Sequence, residues 1–138
     1  MFKTTTRFLI VDDFSTMRKV IKKALFDLGY ENVLEAADGV KAYELLEKHS
    51  ETNEPVEVVM SDWNMPNMRG IELLKKCRVE SRYKNLPFVL ITAESEQAQI
   101  IDAVRSGVTD YIIKPFSPST LKVKLEGVYK KSFPVKAA

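Results

Sequence analysis

Cysteine and histidine are almost absent: Cys77 and His49 stand alone among 138 residues. A lone cysteine excludes an internal disulfide and suits a reducing compartment. A lone histidine excludes a multi-histidine metal site within the chain. Glycine-rich phosphate loops are missing too. Neither Gly-x-x-x-x-Gly-Lys nor Gly-x-Gly-x-x-Gly occurs, so no nucleotide cradle is visible. No apolar run approaches the roughly 20 residues needed to cross a bilayer. Residues 1–6 lack the apolar core of a signal peptide, and Phe8 to Val11 is too short to supply one, so a cytoplasmic location is expected. Neither sign of charge dominates. The formal net charge is +2, with Lys and Arg spread along the chain, so neither nucleic acid nor a membrane is an expected partner.

What is present is a chain that is 45% hydrophobic and 29% charged, enough for one domain with a normal core. Residues 1–138 are read as that single domain, with its core from about 7 to 129. There is no internal repeat and no low-complexity segment. Four apolar stretches end abruptly in chemistry-bearing residues. Phe8-Leu9-Ile10-Val11 ends in Asp12-Asp13, Val58-Val59-Met60-Ser61 in Asp62, Phe88-Val89-Leu90-Ile91 in Thr92, and Tyr111-Ile112-Ile113 in Lys114-Pro115. Runs that are apolar throughout suit parallel strands covered on both faces.

Helical patterns lie between these runs. Ser15 is placed to cap a helix carrying Met17, Val20, Ile21, Ala24, Leu25 and Leu28, which Gly29 stops. Asn32 to Ala36 is a short strand, and Asp38-Gly39 turns the chain into a helix holding Val40, Tyr43 and Leu46. A polar loop from Ser50 to Pro55 precedes the strand from Val56 to Asp62, and His49 at the loop's edge reads as solvated. Ile71 to about Val79 forms the third helix, with Cys77 as a small core residue. Gln97 to Ser106 forms the fourth, carrying Ile100, Ile101 and Val104 and ended by Gly107. A last helix runs from about Pro118 to Tyr129. Residues 1–6 read as a loose lead and residues 130–138 as a frayed tail.

Strand and helix alternate five times. That pattern demands a parallel sheet with helices on both faces and right-handed crossovers, an α/β doubly wound fold. Ligands of such sheets bind outside the carboxyl ends of the strands. Asp12, Asp13, Asp62, Thr92 and Lys114 all fall at those ends, so separated residues are expected to share one pocket.

Carboxylates brought together repel and need a cation or protons. The available ligands are hard oxygens, so Mg²⁺ is the natural occupant. Calcium is the competing reading, and the absence of an EF-hand loop counts against it. Lys114 adds fixed positive charge beyond what a metal site needs, which suggests that a dianion visits. Thr92 adds a hydroxyl donor. These are the parts of phosphoryl transfer, which is mainly positioning and charge neutralisation. Without a nucleotide cradle the attacking group must come from the protein, and an aspartyl carboxylate can form an acyl phosphate. Asp62 is the best candidate, since Asp12 and Asp13 are adjacent and better placed as metal ligands.

Taken in order, Asp12-Asp13, Asp62, Thr92-Ala93 and Lys114-Pro115 resemble the motifs of the receiver domain of two-component response regulators. The match covers about Arg7 to Tyr129. The runs Asp12 to Arg18, Ser61 to Met68 and Lys114-Pro115-Phe116 resemble the chemotaxis members in particular. The resemblance implies a flavodoxin-like (βα)5 fold with strand order 2-1-3-4-5. It implies that Asp62 accepts a phosphoryl group from a histidine kinase. Asp13, Asp62 and the backbone carbonyl of Asn64 would bind Mg²⁺ directly, and Asp12 through water. Lys114 would pair with the phosphoryl group, and its bond to Pro115 would be cis. Thr92 and Tyr111 would act as switch residues that change the surface of the fourth helix, fifth strand and fifth helix. Asn64 and Glu94 would help set the dephosphorylation rate. Expected partners are a chemotaxis histidine kinase, the flagellar motor switch protein and a phosphatase, with the chain itself a monomer. Arg69 departs from the family pattern, which often has an acidic residue there.

Two other readings compete. One is a receiver in a non-chemotaxis phosphorelay or a phosphate sink. The other, of a different class, is a Mg²⁺-dependent phosphohydrolase with an aspartate nucleophile, which would turn over repeatedly. A DNA-binding output domain is not expected, since few residues follow Tyr129.

Overall fold

The apolar runs form a single parallel sheet, and the helical patterns cover both of its faces. The computed structural model describes residues 1–93 and 97–134. In chain order the elements are β1 (Phe8–Val11), α1 (Ser15–Asp27), β2 (Val33–Ala36), α2 (Gly39–Ser50), β3 (Val58–Asp62), α3 (Gly70–Val79), β4 (Phe88–Thr92), α4 (Gln97–Arg105), β5 (Asp110–Ile113) and α5 (Pro118–Ser132). The strand order is β2-β1-β3-β4-β5, the flavodoxin-like order that the resemblance implied. Every residue of β1, β3 and β4 is buried, as strands covered on both faces require.

Alternating side chains divide the core into two layers. One face buries Ile10, Val58, Met60 and Val89 beneath Ile21 and Leu25 of α1 and Leu121, Leu125 and Val128 of α5. The other buries Leu9, Val59 and Leu90 beneath Leu46 of α2 and Leu73, Leu74 and Cys77 of α3. Each such side chain contributes about 1.5–3 kcal/mol relative to exposure. Burial pushes the Cys77 thiol up to about 12, so it is inert packing, as its position on α3 suggested. Glycines stop α1 and α4 as expected, with Gly29 at φ 97° and Gly107 at φ 89°.

Several local expectations are corrected. Phe14, not Ser15, occupies the N-cap of α1, because the Asp12 carboxylate takes up the Phe14 N–H at 2.9 Å. Val20, Ile101 and Val104 are 53%, 45% and 62% exposed. On α1 the buried stripe is filled by Ile21, Ala24 and Leu25. On α4 only the small Ala103 is buried, which turns the larger residues outward. The lead is not loose. Phe2 is buried, its ring packs edge-on against Phe8, Tyr129 and Phe133, and its carbonyl accepts from the Tyr30 hydroxyl at 3.1 Å. The same aromatic cluster extends α5 to Ser132, beyond the expected end at Tyr129. His49 is not simply solvated, since its Nδ1 lies 3.0 Å from Arg7 Nη1. No described helix is long and apolar enough to cross a membrane.

Candidate functional site

The pairing register sets the site. Val11 of β1 lies beside Ser61 of β3, and Asp62 beside Ile91 of β4. The residues that end these strands therefore emerge side by side at one edge. Carboxylate oxygens of Asp12, Asp13 and Asp62 lie within 4.8 Å of one another. Lys114, just beyond β5, reaches across to them. Its Nζ donates to Asp12 Oδ2 at 3.4 Å and to Asp62 Oδ1 at 3.3 Å. Thr92 is buried at the end of β4, with its hydroxyl 3.4 Å from Gln99 Oε1 on α4. The five residues read from the strand ends are thus brought together at one edge.

The backbone around Asp62 is tightly built. Trp63 N–H donates to Asp62 Oδ1 at 3.0 Å and fixes the carboxylate's direction. The Gly70 N–H donates to Trp63 O at 3.0 Å, folding α3 back onto the strand end. A Cβ at Gly70 would sit 2.1 Å from the Asp62 carbonyl oxygen, so only glycine allows this approach. The loop between is tied to α2. Asp38, the N-cap of α2, accepts from Lys41 N–H and from Asn67 Nδ2, each at 2.9 Å. Asn67 itself stands at φ 67°. These donors hold the Asp38 carboxyl below its ordinary range, the Lys41 N–H most of all. The Asp38–Asn67 tether was missed in the sequence, because nothing local relates two loops 29 residues apart.

The electrostatics favour a bound cation. Burial, helped by the Asp12 charge, raises the Asp62 carboxyl above its ordinary range, against the opposing pull of Lys114. One ammonium therefore does not settle the cluster. Asp13 Oδ1 is buried with no hydrogen-bond partner among the described residues. An all-oxygen set with an unsatisfied carboxylate oxygen fits a hard divalent cation such as Mg²⁺.

The remaining expected residues stand around this edge. Asn64 and Arg69 are exposed on the loop between β3 and α3. The Glu72 carboxylate accepts from both Arg69 N and Arg69 Nε, at 3.2 and 2.9 Å. Tyr111 is half-buried on β5, with Lys124 Nζ 4.8 Å from its ring centre. The Lys114–Pro115 peptide is cis, as the resemblance implied. Glu94 lies outside the described residues. An apolar groove of about 370 Å³, lined by Met17, Val20, Ala93, Pro115 and Phe116, borders Lys114.

A doubly wound sheet carrying an aspartate cluster and a lysine at its carboxyl edge is the arrangement that the receiver-domain resemblance implied. The sequence matches the response regulator receiver domain over residues 8–126, and the chain belongs to that family. It is 50% identical over 122 residues to the "Chemotaxis protein CheY homolog" of Campylobacter jejuni, covering 88% of this chain and 91% of that protein. It is 50% identical to "Chemotaxis protein CheY1" of Helicobacter pylori, covering 88% and 95%. Among solved structures, Vibrio cholerae chemotaxis protein CheY4 aligns with a TM-score of 0.77 at 36% identity, covering 89% of this chain and 98% of that one.

Proposed function

We propose that this chain is a single-domain chemotaxis response regulator whose Asp62 accepts a phosphoryl group. The observation that carries the reading is the Asp62 carboxylate, bonded to Lys114 Nζ at 3.3 Å within a cluster of acidic oxygens at the sheet's carboxyl edge. The chemotaxis assignment is supported by the relatives at about half identity. An Asp62 oxygen attacks the phosphorus of a kinase phosphohistidine. The P–O bond forms as the P–N bond breaks, and the imidazole leaves with the electron pair and takes up a proton. The product is an acyl phosphate. Lys114 exchanges its carboxylate partners for the phosphoryl oxygens, and Thr92 donates its hydroxyl to another. Asp13, Asp62 and the Asn64 carbonyl are the residues that would hold Mg²⁺ directly, with Asp12 acting through water. When bound, Mg²⁺ offsets the negative charge that carboxylates and phosphoryl oxygens would otherwise set against one another. Solvent exposure of the Asn64 side chain is consistent with a part in admitting water for dephosphorylation.

The output is a population shift. The phosphoryl group need only favour the active conformer over the inactive one. Thr92 and Tyr111 stand on adjacent strands, β4 and β5, and are the switch residues in this reading. The exposed Ile101, Val104 and Ile113 then belong to the surface that changes. The partners are a chemotaxis kinase, the flagellar motor switch protein and a phosphatase. The test is binding of a flagellar switch-protein peptide before and after phosphorylation. Binding strengthened at least several-fold by phosphorylation supports the reading. Phosphorylation without binding in either state overturns the motor role in favour of a relay or phosphate sink. Repeated hydrolysis of a small phosphate ester would instead favour the phosphohydrolase.

A further inference from the structure

The edge of the sheet opposite Asp62 carries a cluster of cations that the phosphoacceptor chemistry does not use. A cleft of about 350 Å³ opens there, lined by Arg78, Lys84, Asn85, Thr109, Lys131 and Ser132, together with Gly107. Its residues come from the end of α3, the connector before β4, the turn after α4, the start of β5 and the end of α5. It is lined by three formal positive charges and no carboxylate.

Part of this charge serves the fold. Arg78 Nε donates to Gly107 O at 2.8 Å, Nη1 to Tyr83 O at 3.0 Å, and Nη2 approaches Thr109 Oγ1 at 3.5 Å. Lys131 Nζ donates to Thr109 O at 3.2 Å and stands 3.4 Å from Asp110 Oδ2. Cations at helix C-termini offset the partial negative charge of terminal carbonyls. Hydrogen bonds to neutral oxygens do not cancel a formal charge, however, and Arg78 has no carboxylate partner among the described residues. Burial depresses its pKa accordingly. Asp110 is already shared with Lys124 Nζ at 3.3 Å. Lys84 makes no ion pair or hydrogen bond among the described residues, so helix capping does not account for it.

We infer that this cleft is a binding site for a phosphate group, separate from the Asp62 site. Its lining is drawn from several elements and includes a guanidinium, ammonium groups, a carboxamide and hydroxyls. A tetrahedral dianion, with acceptor oxygens in every direction, meets such a set better than a planar carboxylate with two. Gly107 makes room for the guanidinium at the floor, since a Cβ there would lie 3.3 Å from Arg78 Nε.

The test is a titration of the full chain with inorganic phosphate and with pyrophosphate, at low salt and without Mg²⁺, followed by amide NMR. Saturable shifts are expected at Asn85, Gly107 and Thr109. Affinity should fall at least tenfold in Lys84→Glu combined with Lys131→Glu, and should weaken as sodium chloride is raised. Lys84→Glu alone, at an exposed residue with no partner to lose, should fold normally and weaken binding several-fold. Shifts confined to the Asp62–Lys114 edge would overturn the inference. So would binding indifferent to Lys84→Glu, or succinate binding as tightly as phosphate.

Discussion

The carboxyl edge of the sheet holds Asp12, Asp13 and Asp62 within 4.8 Å, with the Lys114 ammonium donating to two of them and one buried oxygen of Asp13 unbonded. The amino edge surrounds Arg7 with acceptors. Its guanidinium donates to Asn32 Oδ1, to the Glu54 carbonyl and carboxylate, and to His49 Nδ1. Since arginine can only donate, His49 Nδ1 is the acceptor there. Beside this hub Phe2, Tyr129 and Phe133 close an aromatic cluster that joins the two ends of the chain. Around Arg7 the groups satisfy one another, while the acidic cluster at the carboxyl edge keeps a buried oxygen without a partner among the described residues. In the proposed function a cation and a phosphoryl group complete the acidic edge, whereas the cluster around Arg7 plays no part in that chemistry.

Substitutions at each edge should break this contrast in opposite ways. The largest effect is expected for Gly70→Ala, whose Cβ would meet the Asp62 carbonyl oxygen at 2.1 Å. The loss should reach or exceed the upper end of the about 1–3 kcal/mol usual for overpacking. Denaturant unfolding would read it, with phosphoacceptance lost as well. At the amino edge Phe2→Ala should cost about 3 kcal/mol, near the lower end for a buried aromatic. Phosphoacceptance by the folded fraction should be unchanged, and an inactive folded variant would contradict the separation of the two edges.

The acidic edge should respond to charge instead. The folded pKa of Asp62 is raised, so its charged form opposes folding. The stability it contributes is present at low pH and is lost as pH rises through that folded pKa. Without metal, Asp62→Asn should therefore be more stable than wild type at neutral pH, and the difference should vanish on acidification. Mg²⁺ should reverse the order. At about 100 times its Kd it would add about 2.7 kcal/mol to wild type and much less to the variant. Thermal unfolding with and without chelator would show both.

The smallest effect concerns the tether between loops. Asp38→Ala should cost about 1 kcal/mol at neutral pH through loss of the α2 cap. The Asp38 carboxyl is held below its ordinary range, so its contribution is present above the unfolded pKa. It should disappear as pH falls through the lower folded value. A difference between variant and wild type that persisted at strongly acidic pH would show that the side chain acts there by packing instead.

The acidic edge was legible in the sequence because its logic is topological. Once strand and helix alternate, Asp12, Asp62, Thr92 and Lys114 must emerge on the same side of a parallel sheet. The amino edge was not legible, because its contacts join residues with no periodic relation. Phe2 meets Tyr129 across almost the whole chain, and Arg7 meets His49 across 42 residues. Residues 1–6 and 130–138 lack a clear helical or alternating pattern in the sequence and so read as lead and tail. Helical spacing also misplaced Val20, Ile101 and Val104. Periodicity marks a stripe, but a neighbouring element decides how much of it is covered, and α4 is held by the small Ala103.

The central claim is that Asp62 is the phosphoacceptor and that its chemistry depends on a divalent cation. Intact mass with peptide mapping, after incubation with a small phosphodonor and Mg²⁺, tests it most directly. Wild type and Asp62→Asn would be compared with and without chelator. The expected result is one phosphoryl group on the peptide containing Asp62, absent from the variant and absent with chelator. No adduct on wild type, or an adduct indifferent to Asp62→Asn, would contradict the account.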